Sequence, residues 1–303
     1  MRGHTPVTVP PHPSVLVIGE ALMDITDSAA GVIETPGGGP ANVALGLARR
    51  GVDTALLASL GRDARGLVIA AHLEESGVSV HPDTFHDRAT STARATLDET
   101  GAATYDFDIS WEIPEAVSVD EPAVIHTGSL ATFLEPGADA VAQLLAAHPA
   151  TVVTFDPNIR PALVGSPAAA RARFEGIARR AAVVKLSDED ADFLFPETDL
   201  PDVLGAILAL GPRLVAITRG GAGAILSTAT DRIEVAAPRV SVVDTIGAGD
   251  TFMASLLTEP SVRAGVAPSA ADLQEIGERA VAAAAVTVSR AGADLPWESE
   301  LTL

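Results

Sequence analysis

The sequence predicts an α/β protein: a three-layer sandwich in which helices cover both faces of a mostly parallel central sheet, with a small β lid projecting from it. Three observations carry that expectation. Short apolar, β-branched runs alternate with Ala/Leu-rich stretches of helical period along most of the 303 residues, the pattern of repeated βαβ units. Hydrophobic residues make up 47% of the chain and aromatics only 4%, so the core has to be built from Ala, Val, Leu and Ile. Two polar-rich stretches of alternating character, Val32–Glu34 and Thr92–Asp108, break the rhythm with no helix between strands. They imply lid strands inserted at about residues 20–36 and 90–110 of a single domain spanning 1–303. A pair of ordinary surface hairpins is the alternative.

The elements follow in order. Val15–Ile18 is a short buried strand ending at Gly19, and Ala41–Arg50 is a helix with Val43, Ala44, Leu47 and Ala48 on one face and Gly51 as its stop. Ala55–Leu60 reads as a strand and Ala64–Ser76 as a helix closed by Gly77. Val124–Thr127 is a strand, Ala138–Ala147 a helix, and Thr151–Phe155 a strand ending in Asp156. Pro167–Arg180 is helical and Ala182–Lys185 a strand; Ser187 suits a helix cap, with Glu189 and Asp190 in the first turn. Leu214–Thr218 is a further strand, and the last two helices begin near Gly247 and Pro268.

Composition excludes several function classes. Against 40 Asp+Glu there are 20 Lys+Arg, a formal net charge of −20. A nucleic-acid partner, bound through clustered cations, is not expected. The absence of cysteine removes disulfides, thiolate nucleophiles, Cys-ligated zinc and iron–sulfur clusters. Lys185 is the single lysine, so no P-loop motif exists. Met1–Pro13 contains no apolar run suited to a signal peptide, and no stretch of about 18 apolar residues occurs. A cytoplasmic protein without membrane attachment is expected.

Three segments carry chemistry. In Val243–Phe252 a β-branched strand ends at Asp244, small residues follow, and a helix starts at once. Gly247, Ala248 and Gly249 let a ligand approach the backbone, where free N–H groups and the helix dipole favour an anion. Asp250, in the same turn, suits a general base for an acceptor hydroxyl; it also suits a plain capping residue. Gly37-Gly38-Gly39-Pro40-Ala41-Asn42 is a Gly-rich turn with Pro placed to open a helix. With Glu20 and Asp24 just past the first strand, Asp24 and Asn42 could grip sugar hydroxyls. Asp156-Pro157-Asn158-Ile159-Arg160 presents an acceptor, an amide and a permanent cation. Arg160 is either the neutraliser of a phosphoryl group or the partner of Asp156 in an ion pair.

Taken together, these segments resemble the ribokinase-like (PfkB) carbohydrate kinase family from about Val15 to Trp297. Gly37–Asn42 is similar to its N-terminal glycine motif and Asp244–Asp250 to its D-T-x-G-A-G-D motif. Asp156–Arg160, Lys185–Asp190 and Arg290–Pro296 resemble the fructokinase-like branch. The resemblance implies ATP-dependent phosphorylation of a sugar hydroxymethyl group, with fructose first among the sugars. Asp250 would be the base; Gly247, Ala248 and Gly249 the anion hole; Arg160 a catalytic cation. Asp24, Gly38, Gly39, Asn42 and Arg94 would bind the sugar, and Lys185, Thr218, Gly220 and Gly221 the nucleotide. Magnesium would be supported by Asp188 or Glu189, where the family's N-x-x-E reads Lys185 to Asp188. Potassium would sit by Asp244 and the carbonyls of Ile246 and Gly292. The asparagine that family members often carry near Val281–Ser289 is missing, so shape must hold the adenine there.

Ribose, 2-keto-3-deoxygluconate or a nucleoside remain alternative substrates, and a sugar-binding sensor without turnover is the non-enzyme alternative. A sugar phosphate is disfavoured, because no cation cluster accompanies Asp24 and Asn42. A dinucleotide-dependent oxidoreductase would need G-x-G-x-x-G where Gly19-Glu20-Ala21 stands. A homodimer paired through the lid is expected, and His126 reads as a hydrogen-bonded core histidine.

Overall fold

The computed structural model describes residues 14–28, 31–97, 103–114, 117, 119 and 121–301; Met1–Pro13 and the middle of the Thr92–Asp108 stretch lie outside them. The chain runs β1 (Val15–Ile18), β2 (Leu22–Ser28), β3 (Gly31–Gly37), α1 (Gly39–Arg49), β4 (Thr54–Leu57), β5 (Leu60–Gly61), α2 (Ala64–Glu75), β6 (Ser79–Val80) and β7 (Phe85–His86). Then follow β8 (Thr92–Leu97), β9 (Ala103–Asp108), β10 (Val124–Gly128), α3 (Gly137–Ala147), β11 (Val152–Asp156), α4 (Pro161–Val164), α5 (Pro167–Ala178) and β12 (Ala181–Ser187). The last part comprises α6 (Asp188–Leu194), α7 (Leu200–Leu208), β13 (Leu214–Thr218), β14 (Ala224–Ser227), β15 (Arg232–Val235), α8 (Ala248–Thr258), α9 (Pro260–Arg263) and α10 (Ala270–Val288).

A nine-stranded sheet, ordered β15-β14-β13-β12-β11-β10-β1-β4-β6, forms the middle layer. It is parallel from β13 to β6, with β14 and β15 antiparallel at one end. Every residue of β1 and β10 is buried, as expected of strands covered on both faces. Two apolar clusters lie on opposite sides. One joins the sheet to α1, α2, α8 and α10, the other to α3, α5, α6 and α7. Aliphatic residues dominate both; Phe155, Phe174 and Phe195 add a short aromatic cluster, tilted and then edge-on, with centroids 5.6 and 6.0 Å apart.

The polar-rich stretches form a separate four-stranded sheet, β3-β2-β8-β9. Asp63, the N-cap of α2, ties the start of β8 to the body by accepting from Thr90 N at 2.8 Å and Thr90 Oγ1 at 2.7 Å. Arg65 of α2 holds Glu34 of β3. Among the described residues the edges β3 and β9 carry no further strand, and Val32 and Ile33 are exposed.

Several boundaries differ from the sequence expectation. The strand expected over Ala55–Leu60 stops at Leu57, and Leu60–Gly61 pairs separately with β7. Ala58 N instead donates to Thr84 Oγ1 at 3.1 Å, a side chain taking over from the ladder. β12 runs two residues past Lys185, so Ser187 both ends the strand and caps α6, in a capping box with Asp190. β14, β15 and α7 lie outside the sequence expectation; the antiparallel strands after β13 lack the intervening helix that marks the other units. Among the described residues no helix is long and apolar enough to cross a membrane.

Candidate active site

The chain order reverses at β1. Successive units step outward through β4 and β6 on one side and through β10 to β13 on the other. In an open α/β sheet such a reversal leaves a crevice at the carboxyl ends of the strands. A cleft lies there, lined by Gly39, His126, Ser129, Asp156, Asn158 and Asp250 among others. The motifs of the three segments, far apart in sequence, converge on it.

α8 begins at this crevice. Gly247 is its N-cap in the left-handed region at φ 79°, a conformation glycine adopts without strain. The N–H of Ala248 bends back to Thr245 O at 3.3 Å, so it is turned away from the cleft. Among the described residues no acceptor is bonded to the N–H of Gly247, Gly249 or Asp250. Asp250 is buried, and its Oδ2 accepts a 2.8 Å hydrogen bond from Asn42 Nδ2 of α1. Burial pushes the Asp250 carboxyl up, while the Asn42 bond, Lys185 and Arg160 act downward. The Gly-rich turn thus meets the base directly, through a bond between residues 208 positions apart.

Around this pair the chain is tightly fitted. Gly38 has φ 109° and ψ 123°, and a Cβ there would lie 2.5 Å from the Glu20 carbonyl oxygen. A Cβ on Gly37 would fall 2.0 Å from Asp24 Oδ2, and one on Gly39 2.7 Å from Asn158 Nδ2. Burial pushes Asp24 up to about 6, opposed by Arg160 and reinforced by Asp250. Ser129 and Asn158 hold positive φ values of 54° and 37°. Such strain in non-glycine residues clusters where surrounding contacts over-determine the backbone. No motif pointed to Ser129. Its only sequence signal was its place just after the β10 glycine.

Glu20 is buried beside this turn, its Oε2 accepting from Ala131 N at 3.3 Å. Burial pushes its carboxyl up to about 7, against bonds from Ser129 and Ala131. Between the ordinary 4.5 and about 7 the folded protein therefore holds a proton that the unfolded chain has released. Stability contributed by this site falls as pH rises through that window. Glu20→Gln is expected to unfold at higher urea than wild type at pH 8, by about 1–3 kcal/mol, and nearly together with it at pH 5. A difference of equal size at both pH values would contradict a protonated Glu20.

The remaining expected residues are placed less uniformly. Arg160 does not pair with Asp156. Its Nη1 donates to Asn158 Oδ1 at 2.7 Å, and the guanidinium is exposed. Asp156 is instead held by Lys185, Nζ to Oδ2 2.9 Å, and both side chains are buried. Lys185 therefore does not stand open toward a nucleotide. Thr218 ends β13, where Gly220 and Gly221 are exposed with open space above them. Arg94 stays on the small sheet, 3.2 Å from Asp27 and half-exposed. Asp188 and Glu189 lie in the first turn of α6, with Asp188 Oδ1 accepting from Glu189 N at 3.1 Å. Asp244 accepts from Ile246 N at 3.1 Å and Gly292 N at 2.9 Å, bringing those two loops together. His126 is a core residue, bonded through Nδ1 to Thr154 Oγ1 at 3.0 Å.

Residues 12–300 match the family described as pfkB family carbohydrate kinase. The chain belongs to that family. It is 32% identical over 256 residues to a fructokinase of Rhizobium leguminosarum bv. trifolii, covering 80% of this chain and 78% of that protein. It is 31% identical to a fructokinase of Salmonella typhimurium, over 95% of this chain and 97% of the relative. Among solved structures, fructokinase from Vibrio cholerae O395 with fructose, ADP and calcium bound superposes with a TM-score of 0.82. The sequence identity there is 27%, with 95% of this chain and 97% of that one covered. The protein is thus a carbohydrate kinase of the fructokinase-like branch, and the α/β fold anticipated from the strand rhythm is that of the family.

Proposed function

We propose that this kinase is a fructokinase, transferring the γ-phosphoryl group of ATP to the 6-hydroxyl of D-fructose with Asp250 as the base. The observation that carries this reading is the placement of a buried carboxylate in the first turn of α8. There it is bonded to the Gly-rich turn on one side and flanked by unbonded backbone N–H groups on the other. The fructokinase relatives and the fructose and ADP bound by the Vibrio enzyme support the choice of sugar and nucleotide.

In this reading Asp24, Gly38, Gly39 and Asn42 hold the sugar, with Arg94 reaching over it from the small sheet. Asp250 takes the hydroxyl proton as the oxygen forms its bond to the γ-phosphorus. The bond to the β–γ bridging oxygen breaks and ADP leaves. The N–H groups of Gly247, Gly249 and Asp250, at the positive end of the α8 dipole, meet the charge spreading over the phosphoryl oxygens. Ala248 contributes less than its neighbours, since its N–H is turned to Thr245. Arg160, exposed and bonded to Asn158 Oδ1, would exchange that bond for the transferred group. Gly220 and Gly221, with Thr218, offer a side-chain-free shelf for the nucleotide.

Among the described residues no group of three or more His, Asp or Glu could cage a metal. Magnesium carried by the nucleotide phosphates would be held by Asp188 or Glu189 in the first turn of α6. When bound it would neutralise phosphate charge. Asp244, with the carbonyls of Ile246 and Gly292, is the place for potassium, because Asp244 already draws the two loops into one ring.

The test is a panel of fructose, ribose and 2-keto-3-deoxygluconate, each with ATP and magnesium, read as ADP release. Fructose is expected to give the highest kcat/KM. Equal or faster turnover of either of the others would move the assignment to that sugar, and binding without turnover of any would leave a sensor.

A further inference from the structure

Lys185 is the one lysine of the chain, and its ammonium is buried beneath the first turn of α8. A Cβ built on Gly249 would come within 2.8 Å of Lys185 Nζ, so the absence of a side chain at 249 is what admits the cation. Its partner is Asp156, whose Oδ1 is buried without a hydrogen bond. A buried ion pair adds little net stability, because desolvation consumes most of the attraction. Folding alone therefore gives no reason for a lysine here.

We propose that Lys185 is a positioning residue for phosphoryl transfer: a fixed cation behind the α8 turn that faces Asp250 and offsets the incoming phosphoryl charge without touching it. This rests on the kinase reading above. The titratable groups facing Lys185 are Asp156 of β11, Asp190 of α6, Asp250 of α8 and His126 of β10. Asp190 is occupied by Ile159 N at 2.7 Å and Ser187 N at 2.9 Å. Burial, with Lys185 adding to it, pushes His126 down to about 3, so it stays neutral. Asp156 holds the ammonium from the strand side, which leaves the positive end of the pair against α8. Arg160 also acts on Asp250, but from the exposed mouth of the cleft. Lys185 is the buried member of the two.

The experiment compares wild type, Lys185→Arg, Lys185→Met and the double variant Lys185→Met/Asp156→Asn. Each is measured for kcat, for KM of both substrates, for the pH profile of kcat/KM and for Tm. Lys185→Met is expected to lower kcat roughly tenfold to hundredfold and to move the acid limb to higher pH. KM for ATP should stay within about threefold, and Lys185→Arg should recover part of the loss. The double variant, which leaves no unpaired buried charge, should fold with a Tm near wild type and remain slow. A double variant that unfolds or regains wild-type kcat would make the pair structural and overturn the proposal. So would a Lys185→Met enzyme with unchanged kcat and raised KM for ATP, the mark of a direct nucleotide contact. Absence of sugar-dependent ADP release from wild type would instead remove the kinase reading itself, and this inference with it.

Discussion

Asp250→Asn is expected to lower kcat by roughly 10³–10⁴-fold while leaving fructose affinity within a few-fold. The replacement is close to isosteric, and its amide oxygen can still accept from Asn42 Nδ2, which now donates to Asp250 Oδ2 at 2.8 Å. The Gly-rich turn and the start of α8 therefore stay joined. What disappears is the lone pair able to take the hydroxyl proton. Lys185 keeps Asp156 as a partner, so no buried cation is stranded. Fructose binding by calorimetry alongside single-turnover phosphorylation separates the two effects. Turnover near the wild-type rate would remove Asp250 as the base.

Gly38→Ala should be the most damaging single methyl in the sugar turn, with a cost of about 3 kcal/mol or more. Two effects add there. The backbone at φ 109° and ψ 123° lies outside what an L side chain adopts easily, and the new Cβ would lie 2.5 Å from Glu20 O and 3.1 Å from Ala21 Cα. Both neighbours are backbone and cannot rotate away. Relief would have to come from moving the turn, which carries Asn42 away from Asp250 and takes activity with it. Gly31 isolates the first effect. Its φ is 121° with nothing within 4 Å of a Cβ, so Gly31→Ala should cost only about 1–2 kcal/mol. Urea midpoints for the two variants decide the matter, and equal losses would contradict the crowding at Gly38.

The comparison of these two glycines also shows what a sequence conceals. Gly37–Asn42 and Asp244–Asp250 were legible because their chemistry is backbone chemistry: small residues, a proline at a helix start and an N-terminal turn announce themselves locally. The strand rhythm likewise exposed the parallel sheet, and the polar alternation around Thr92–Leu97 exposed the second sheet. Contacts across the crevice were not legible in this way. Asp156 and Lys185 meet because β11 and β12 are neighbours with Phe155 opposite Val184, which puts 156 and 185 on one face. Without the strand order, an ion pair of Asp156 with the nearby Arg160 stands as an open alternative, and the pairing of Asp156 with Lys185 is invisible. In the sequence Glu20 is only an acid just past a strand. Its burial depends on the 129–131 turn, more than 100 positions away. The net charge of −20, which seems hostile to a phosphate ligand, is no obstacle if the anion is met locally by unbonded N–H groups at the start of α8, as the proposed mechanism requires.

The most direct test of the account is the product itself. Purified protein incubated with D-fructose, ATP and magnesium is followed by ³¹P and ¹H NMR. The account predicts ADP and fructose 6-phosphate forming one for one, with phosphate esterified to the oxygen on C6. ADP accompanied by free phosphate and no phosphorylated sugar, or no consumption of ATP, would contradict it.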